Sequence, residues 1–208
     1  PMNNIFYPKS IAIIGASSRE GALSYELISN IIRYGYTGKI FPVNPKTDSV
    51  HSIKSYKSVV DIDDKIDLAV IMVPRDLVLR TIDECAMKKI TSVVVITAGF
   101  KETGKAGSEI EKKLTDKINK YSMRLVGPNC MSIINTNPNV RLNCTFVDGI
   151  PINGGIGFIS QSGALGAAVL KTVQQNDIGM AQFISIGNKA DVSGNTVLEF
   201  WKDNDDIK

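Results

Sequence analysis

Two apolar runs limit what this chain can become. LAVIMV at 68–73 and SVVVIT at 92–97 show no polar alternation, so a strand formed by either must be covered on both faces. Each is followed by helical spacing, over about 75–88 and about 105–121. Strand-then-helix repeated in this way predicts parallel βαβ units. The pattern starts at 10–14, a short strand ending in Gly15. An amphipathic helix follows over 22–34, with Leu23, Leu27, Ile28, Ile31 and Ile32 at helical spacing. Residues 39–43 read as a second strand, weakened by Pro42, which donates no ladder bond. Residues 124–126 begin a fifth. The expected architecture is α/β, a doubly wound parallel sheet ending near Cys130.

A polar connector follows, with one strand expected around 142–146. The alternation then restarts: strand at 156–160, helix at 164–174, strand at 180–186 and a further helix from 196. Two parallel strands and two helices do not close a core of their own. The expectation is a domain over 1–135, a connector over 136–152 and a partial second domain over 153–208, in a piece of a longer protein. Met2 reads as the native start, with Pro1 an engineered addition ahead of it.

With 43% hydrophobic and 22% charged residues, the composition is that of an ordinary globular protein. The formal charge of +3 is spread without a basic block, which argues against nucleic-acid binding. Cys85, Cys130 and Cys144 form no CxxC pair, so a reducing compartment, the cytoplasm, is expected. The uncharged stretch 149–170 is long enough to span a bilayer. It also holds Pro151, Asn153, Gln161 and six glycines, so it reads as strand, turn and helix with no membrane role.

Several junctions carry chemistry. IGASS at 14–18 follows the first strand where a Rossmann phosphate loop belongs. Gly15 permits the turn, and Ser17 and Ser18 can bond phosphate oxygens. A glycine turn needed only for packing would look the same. The second strand ends in VNPK (43–46), without the acidic residue that usually receives the ribose of NAD. Asn44 and Lys46 suit a nucleotide with an extra ribose phosphate, NADP or coenzyme A (CoA), although Lys46 could be an ordinary surface lysine. Val73-Pro74 and Thr97-Ala-Gly99 end further strands on the same side, where ligands of open α/β sheets sit. SQSG at 160–163 runs from a strand into a helix, and free N–H groups and the helix dipole there suit an anion. Ser162 could equally be a simple cap.

IGAS, PVNPK, VP, ITAGF, GPNC and SQSGALG, in this order and spacing, resemble the nucleoside-diphosphate-forming acyl-CoA synthetases. Among these are ADP-forming acetate–CoA ligases and, more distantly, the succinyl-CoA synthetase alpha subunit. The resemblance covers essentially the whole chain. It implies a Rossmann-like CoA-binding domain followed by the start of a flavodoxin-like ligase domain. It places Gly15, Ser17 and Ser18 at the CoA phosphates and Asn44 and Lys46 near its ribose phosphate. Val73, Pro74 and Thr97 would run along the adenosine, with Asn129 and Cys130 near the thiol, and Gly99 would let an adenine or a pantetheine chain lie close to backbone. Cys130 could also be a small buried core residue, and Cys85, after Val78 and Ile82, reads as core. Ser160, Gln161, Ser162 and Gly163 would cradle the phosphate of a phosphohistidine. Met131-Ser132 stands where relatives often carry Met-Gly.

The implied reaction joins a short-chain carboxylate, CoA and ATP into acyl-CoA, ADP and phosphate, through an acyl phosphate and a phosphohistidine. That histidine is expected outside this chain. The sole histidine, His51, lies in a polar loop at no catalytic position and is expected to be solvated. ATP/ADP and Mg would enter through further ligase and ATP-grasp domains or subunits. No metal cluster stands out, and a homo-oligomer is expected. The alternatives are the regulatory synthetase-like half of a protein lysine acetyltransferase and a stand-alone CoA-binding module. An NADP-dependent reductase is disfavoured by the lack of a hydride-transfer pair.

Overall fold

The computed structural model describes residues 2–208. Strands β1 (Ser10–Ile14) and β2 (Lys39–Val43) flank helix α2 (Leu23–Tyr34), after a short α1 (Met2–Phe6). A two-residue-per-strand hairpin, β3 (Ser49–Val50) and β4 (Ile53–Lys54), follows. Next come β5 (Leu68–Ile71), α3 (Arg75–Met87), β6 (Ser92–Val95), α4 (Lys105–Lys120) and β7 (Arg124–Val126). The five long strands form one parallel sheet in the order β2-β1-β5-β6-β7. β1, β5 and β6 are buried along their whole length, which explains why they read as unbroken Val/Ile runs. Pro42 sits in β2, at the sheet edge, where a missing ladder donor is tolerated.

The second unit differs from the expected pair of parallel strands. Its sheet has four strands in the order β10-β11-β8-β9, from β8 (Ser132–Asn135), β9 (Leu142–Cys144), β10 (Asn153–Ser160) and β11 (Met180–Ser185). β10 and β11 are parallel, whereas β8 runs antiparallel to both β11 and β9. The sheet is therefore mixed, and the segment before β10 supplies half of it. Ser-Ile-Ile-Asn at 132–135 had read as the end of the first unit. Its four positions are all buried because β11 and β9 flank it on either side. Helices α5 (Gly163–Gln175) and α6 (Gly194–Trp201) complete the unit.

The two units share a hydrophobic core. Phe6 of α1 stacks on Phe200, ring centroids 5.4 Å apart, and meets Trp201 at 5.9 Å. Asn135 Nδ2 donates to the Phe6 carbonyl at 2.8 Å, and the Tyr7 hydroxyl donates to Asp206 Oδ2 at 2.8 Å. Among the described residues no helix is long and apolar enough to cross a membrane.

Candidate functional site

The carboxyl ends of the first sheet open into a cavity of about 1100 Å³, at the upper end of the usual range for ligand pockets. Several separate chain segments line it, among them four that carry expected site residues. Val73 and Pro74 come from the end of β5, Thr97 from the end of β6, Asn129 and Cys130 from the loop after β7, and Gln161, Ser162 and Gly163 from the junction of β10 and α5. Five of these positions had been expected at the CoA site and three in the phosphate cradle, and the fold brings all eight to one cavity. Thr97 Oγ1 donates to the Val73 carbonyl at 2.7 Å, tying two strand ends into one wall.

The remaining positions lie outside this lining. Gly15 turns the chain at φ +94°, and a Cβ there would stand 2.8 Å from the Met72 carbonyl carbon; only glycine fits a left-handed turn so close to a neighbouring backbone. Asn44 Nδ2 donates to the Ala16 carbonyl at 2.6 Å, and Asn44 Oδ1 accepts from the Lys46 N–H at 2.8 Å. The loops at 15–18 and 44–46 therefore form one edge of the sheet, with Ser18 and Lys46 exposed. Ser17 Oγ accepts from the Arg19 N–H at 3.1 Å. Gly99, at φ +105°, packs against the Arg75 side chain, whose guanidinium donates to the Gly99 carbonyl at 3.2 Å. Ser160 Oγ donates to the Ser162 carbonyl at 2.7 Å, and Ser162 Oγ accepts from the Leu165 N–H at 3.3 Å. Ser162 is thus a genuine N-cap of α5, while the N–H groups of the first turn keep no intrahelical acceptor.

The loop after β7 is held tightly. The Gly127–Pro128 peptide is cis, and Asn129 adopts φ +58°. Gly187 packs onto this loop so closely that a Cβ would fall 2.3 Å from the Pro128 carbonyl oxygen and 2.4 Å from that of Asn129. The second unit's loop and the first unit's loop are therefore in backbone contact. Cys130 is buried, its Sγ donates to the Val95 carbonyl at 3.4 Å, and burial pushes its thiol up to about 12. Such a thiol stays protonated at neutral pH and is no nucleophile. Cys130 is at once a small buried residue and part of the cavity wall. Cys85 and Cys144 are equally buried and also pushed up to about 12.

His51 is not simply solvated. Its ring stacks on Tyr25 at 4.0 Å between centroids, and its Nε2 lies 3.0 Å from the Tyr25 carbonyl. It holds the β3–β4 hairpin against α2 and takes no part in lining the cavity.

The CoA binding domain family matches residues 9–136, and the succinyl-CoA ligase like flavodoxin domain matches residues 153–208. The chain belongs to the CoA binding domain family. An ADP-forming acetate–CoA ligase of Methanocaldococcus jannaschii is 46% identical over 98% of this chain, which spans 28% of that protein. The alpha subunit of ADP-forming acetate–CoA ligase II of Pyrococcus furiosus is 44% identical over the whole chain, which spans 44% of it. The solved apo structure of a dinucleotide forming acetyl-coenzyme A synthetase 1 from Ca. Korarchaeum cryptofilum superposes with a TM-score of 0.95 at 38% identity, covering 100% of this chain and 44% of its own. The chain thus spans less than half the length of these relatives. It is homologous to the CoA-binding portion of ADP-forming acetate–CoA ligases, and its parallel sheet is a Rossmann-like CoA binding domain joined to a flavodoxin-like one.

Asn188, of the GNKAD stretch at 187–191, also lines the cavity and was not anticipated. A polar loop residue has no periodicity to mark it. The adjoining glycine, lodged against the loop after β7, was the available signal.

Proposed function

We propose that CoA lies across the carboxyl ends of the first sheet, with its pantetheine arm entering the cavity and its thiol end near Asn129. The observation that carries this reading is the convergence of Val73-Pro74, Thr97, Asn129-Cys130 and Gln161–Gly163 on one cavity. Its walls are largely apolar, with a few amides and hydroxyls, as a pantetheine chain requires. Exposed Lys46 and Ser18, at the edge joined by Asn44, are assigned to the ribose phosphate and the diphosphate. Lys46 would meet the ribose phosphate as a point charge. The first turn of α5, beside Gln161, borders the same cavity, and its free N–H groups suit a transferable phosphoryl group.

In the longer protein, this portion would serve an ADP-forming acid–CoA ligase. The carboxylate, acetate by analogy with the relatives, becomes an acyl-CoA at the expense of ATP through an acyl phosphate and a phosphohistidine. That histidine would come from elsewhere, because His51 is engaged with Tyr25. ATP, Mg, the remaining ligase and ATP-grasp parts, self-association and a cytoplasmic location belong to the same proposal. The domain limits 1–135, 136–152 and 153–208 are kept as sequence units, with the 132–144 hairpin serving the second sheet.

Calorimetric titration of the chain with CoA, dephospho-CoA and NADP tests the reading. CoA should bind, dephospho-CoA several-fold more weakly, and NADP not at all. Binding of NADP in place of CoA would overturn it.

A further inference from the structure

Asn188 belongs to the loop after β11, yet its side chain bonds to the turn before α4 and to α4 itself, in the first unit. Its Nδ2 donates to Glu102 Oε2 at 2.6 Å and to Glu111 Oε2 at 2.8 Å, and it is 6% exposed. An ionised carboxylate can only accept, so the NH₂ end of Asn188 has to face the two glutamates. Burial by itself would raise the pKa of Glu102. Hydrogen bonds from Asn188 and from the backbone N–H groups of Gly99 and Phe100 outweigh it and hold the group below its ordinary value. Lys101, 3.4 Å from Glu111 Oε1, balances part of the charge.

The orientation then propagates. With its NH₂ end fixed, Asn188 presents Oδ1 to Asn129, whose Nδ2 is 3.4 Å away. An oxygen there requires the NH₂ end of Asn129 opposite it. Asn129 lines the cavity, and its Oδ1 accepts from none of the described residues, so the carbonyl is the end left for a ligand.

We propose that Asn188, anchored by Glu102 and Glu111, is a positioning residue that fixes Asn129 as a hydrogen-bond acceptor toward a donor at the thiol end of CoA. The donor is either the terminal amide N–H or the S–H. Without Asn188 the amide of Asn129 could turn over and offer its NH₂ end, which such a donor rejects. This inference rests on the CoA reading given above.

The test is a double-mutant cycle on the full 208-residue chain: wild type, Asn129→Ala, Asn188→Ala and the double variant. Each is titrated calorimetrically with CoA and with desulfo-CoA, and each melting curve is recorded. Each single substitution should weaken CoA binding about fivefold, the size of one hydrogen bond, and the double variant should be no weaker than Asn129→Ala alone. If the S–H is the donor, desulfo-CoA binding becomes insensitive to both substitutions; if the amide is, desulfo-CoA behaves as CoA does. Should Asn188→Ala not fold, Glu102→Gln on the exposed side takes its place, and its effect on affinity should vanish in the Asn129→Ala background. Losses that multiply in the double variant overturn the relay. So does an Asn188→Ala protein that melts lower but binds CoA as tightly as wild type. If wild type itself does not bind CoA, the functional reading falls and the relay with it, an outcome distinct from either.

Discussion

Replacing Ser132 by glycine should stabilise the protein. Ser132 opens β8 at φ +73° and is fully buried. A residue with a Cβ pays roughly 1–2 kcal/mol for left-handed backbone, and glycine avoids that. Against this stands the extra freedom of glycine in the unfolded chain, about 0.5–1 kcal/mol. The Ser132 hydroxyl, moreover, has no nitrogen or oxygen partner in its buried position and meets only the Cys144 thiol, a weak partner, so its loss removes little. The balance is a gain of about 1 kcal/mol. For a chain of this size that is about 3 °C in the thermal midpoint, measurable by calorimetry or circular dichroism. A Ser132→Gly protein melting at or below wild type would refute it, because the strained backbone would then cost nothing.

Asn30 Nδ2 donates to the carbonyls of Thr145 and Val147 at 2.8 and 2.9 Å, securing the Phe146-Val147 wall of the cavity to α2. Asn30→Ala should cost about 2 kcal/mol in denaturant unfolding and weaken CoA binding as well. Lys46→Ala should reduce the preference for CoA over dephospho-CoA to near unity while leaving the melting temperature unchanged. The three thiols, pushed up to about 12 by burial, should resist maleimide at pH 7.5 in the folded protein and react fully in denaturant; a rapidly labelled cysteine would contradict the packing. Glu102 has a lowered folded-state pKa, so its stabilising contribution is complete above the ordinary value of 4.5 and is lost as pH falls through the folded value. Acid titration of wild type should therefore show a loss of stability below pH 4.5 that is smaller in Glu102→Gln.

The first sheet was legible because its information is local. A run such as Val93-Val-Val95 has one stable fate, a covered strand, and helices on either side force the strands parallel. The cavity was legible for a related reason: strand ends in a parallel sheet share one side, so Val73, Thr97 and Asn129 had to be neighbours. What escaped was non-local. Ser132–Asn135 has too few residues to show a period, and its identity as a strand depends on β11, which lies far along the chain. Phe6 became a core residue through Phe200 and Trp201. Asn188 took its importance from Glu102, in the turn before α4, and Glu111, within that charged helix, neither of which carries a mark in the sequence. His51 sat in a stretch that is polar by composition, and only the nearby Tyr25 gave it a surface to stack on.

The antiparallel strand β8 has a consequence for biosynthesis. As the chain leaves the ribosome N-terminus first, β8 and β9 can pair as a hairpin, but β8 must wait for β11 before its other edge is covered. Over that interval a strand of Ile133 and Ile134 is open to wrong partners. The first sheet, complete once β7 emerges, offers the surface on which the hairpin can rest. A gene cut after residue 136 would therefore not yield two independent halves: the downstream product would lack the strand that closes its sheet, and the upstream product would carry that strand with nothing to bind.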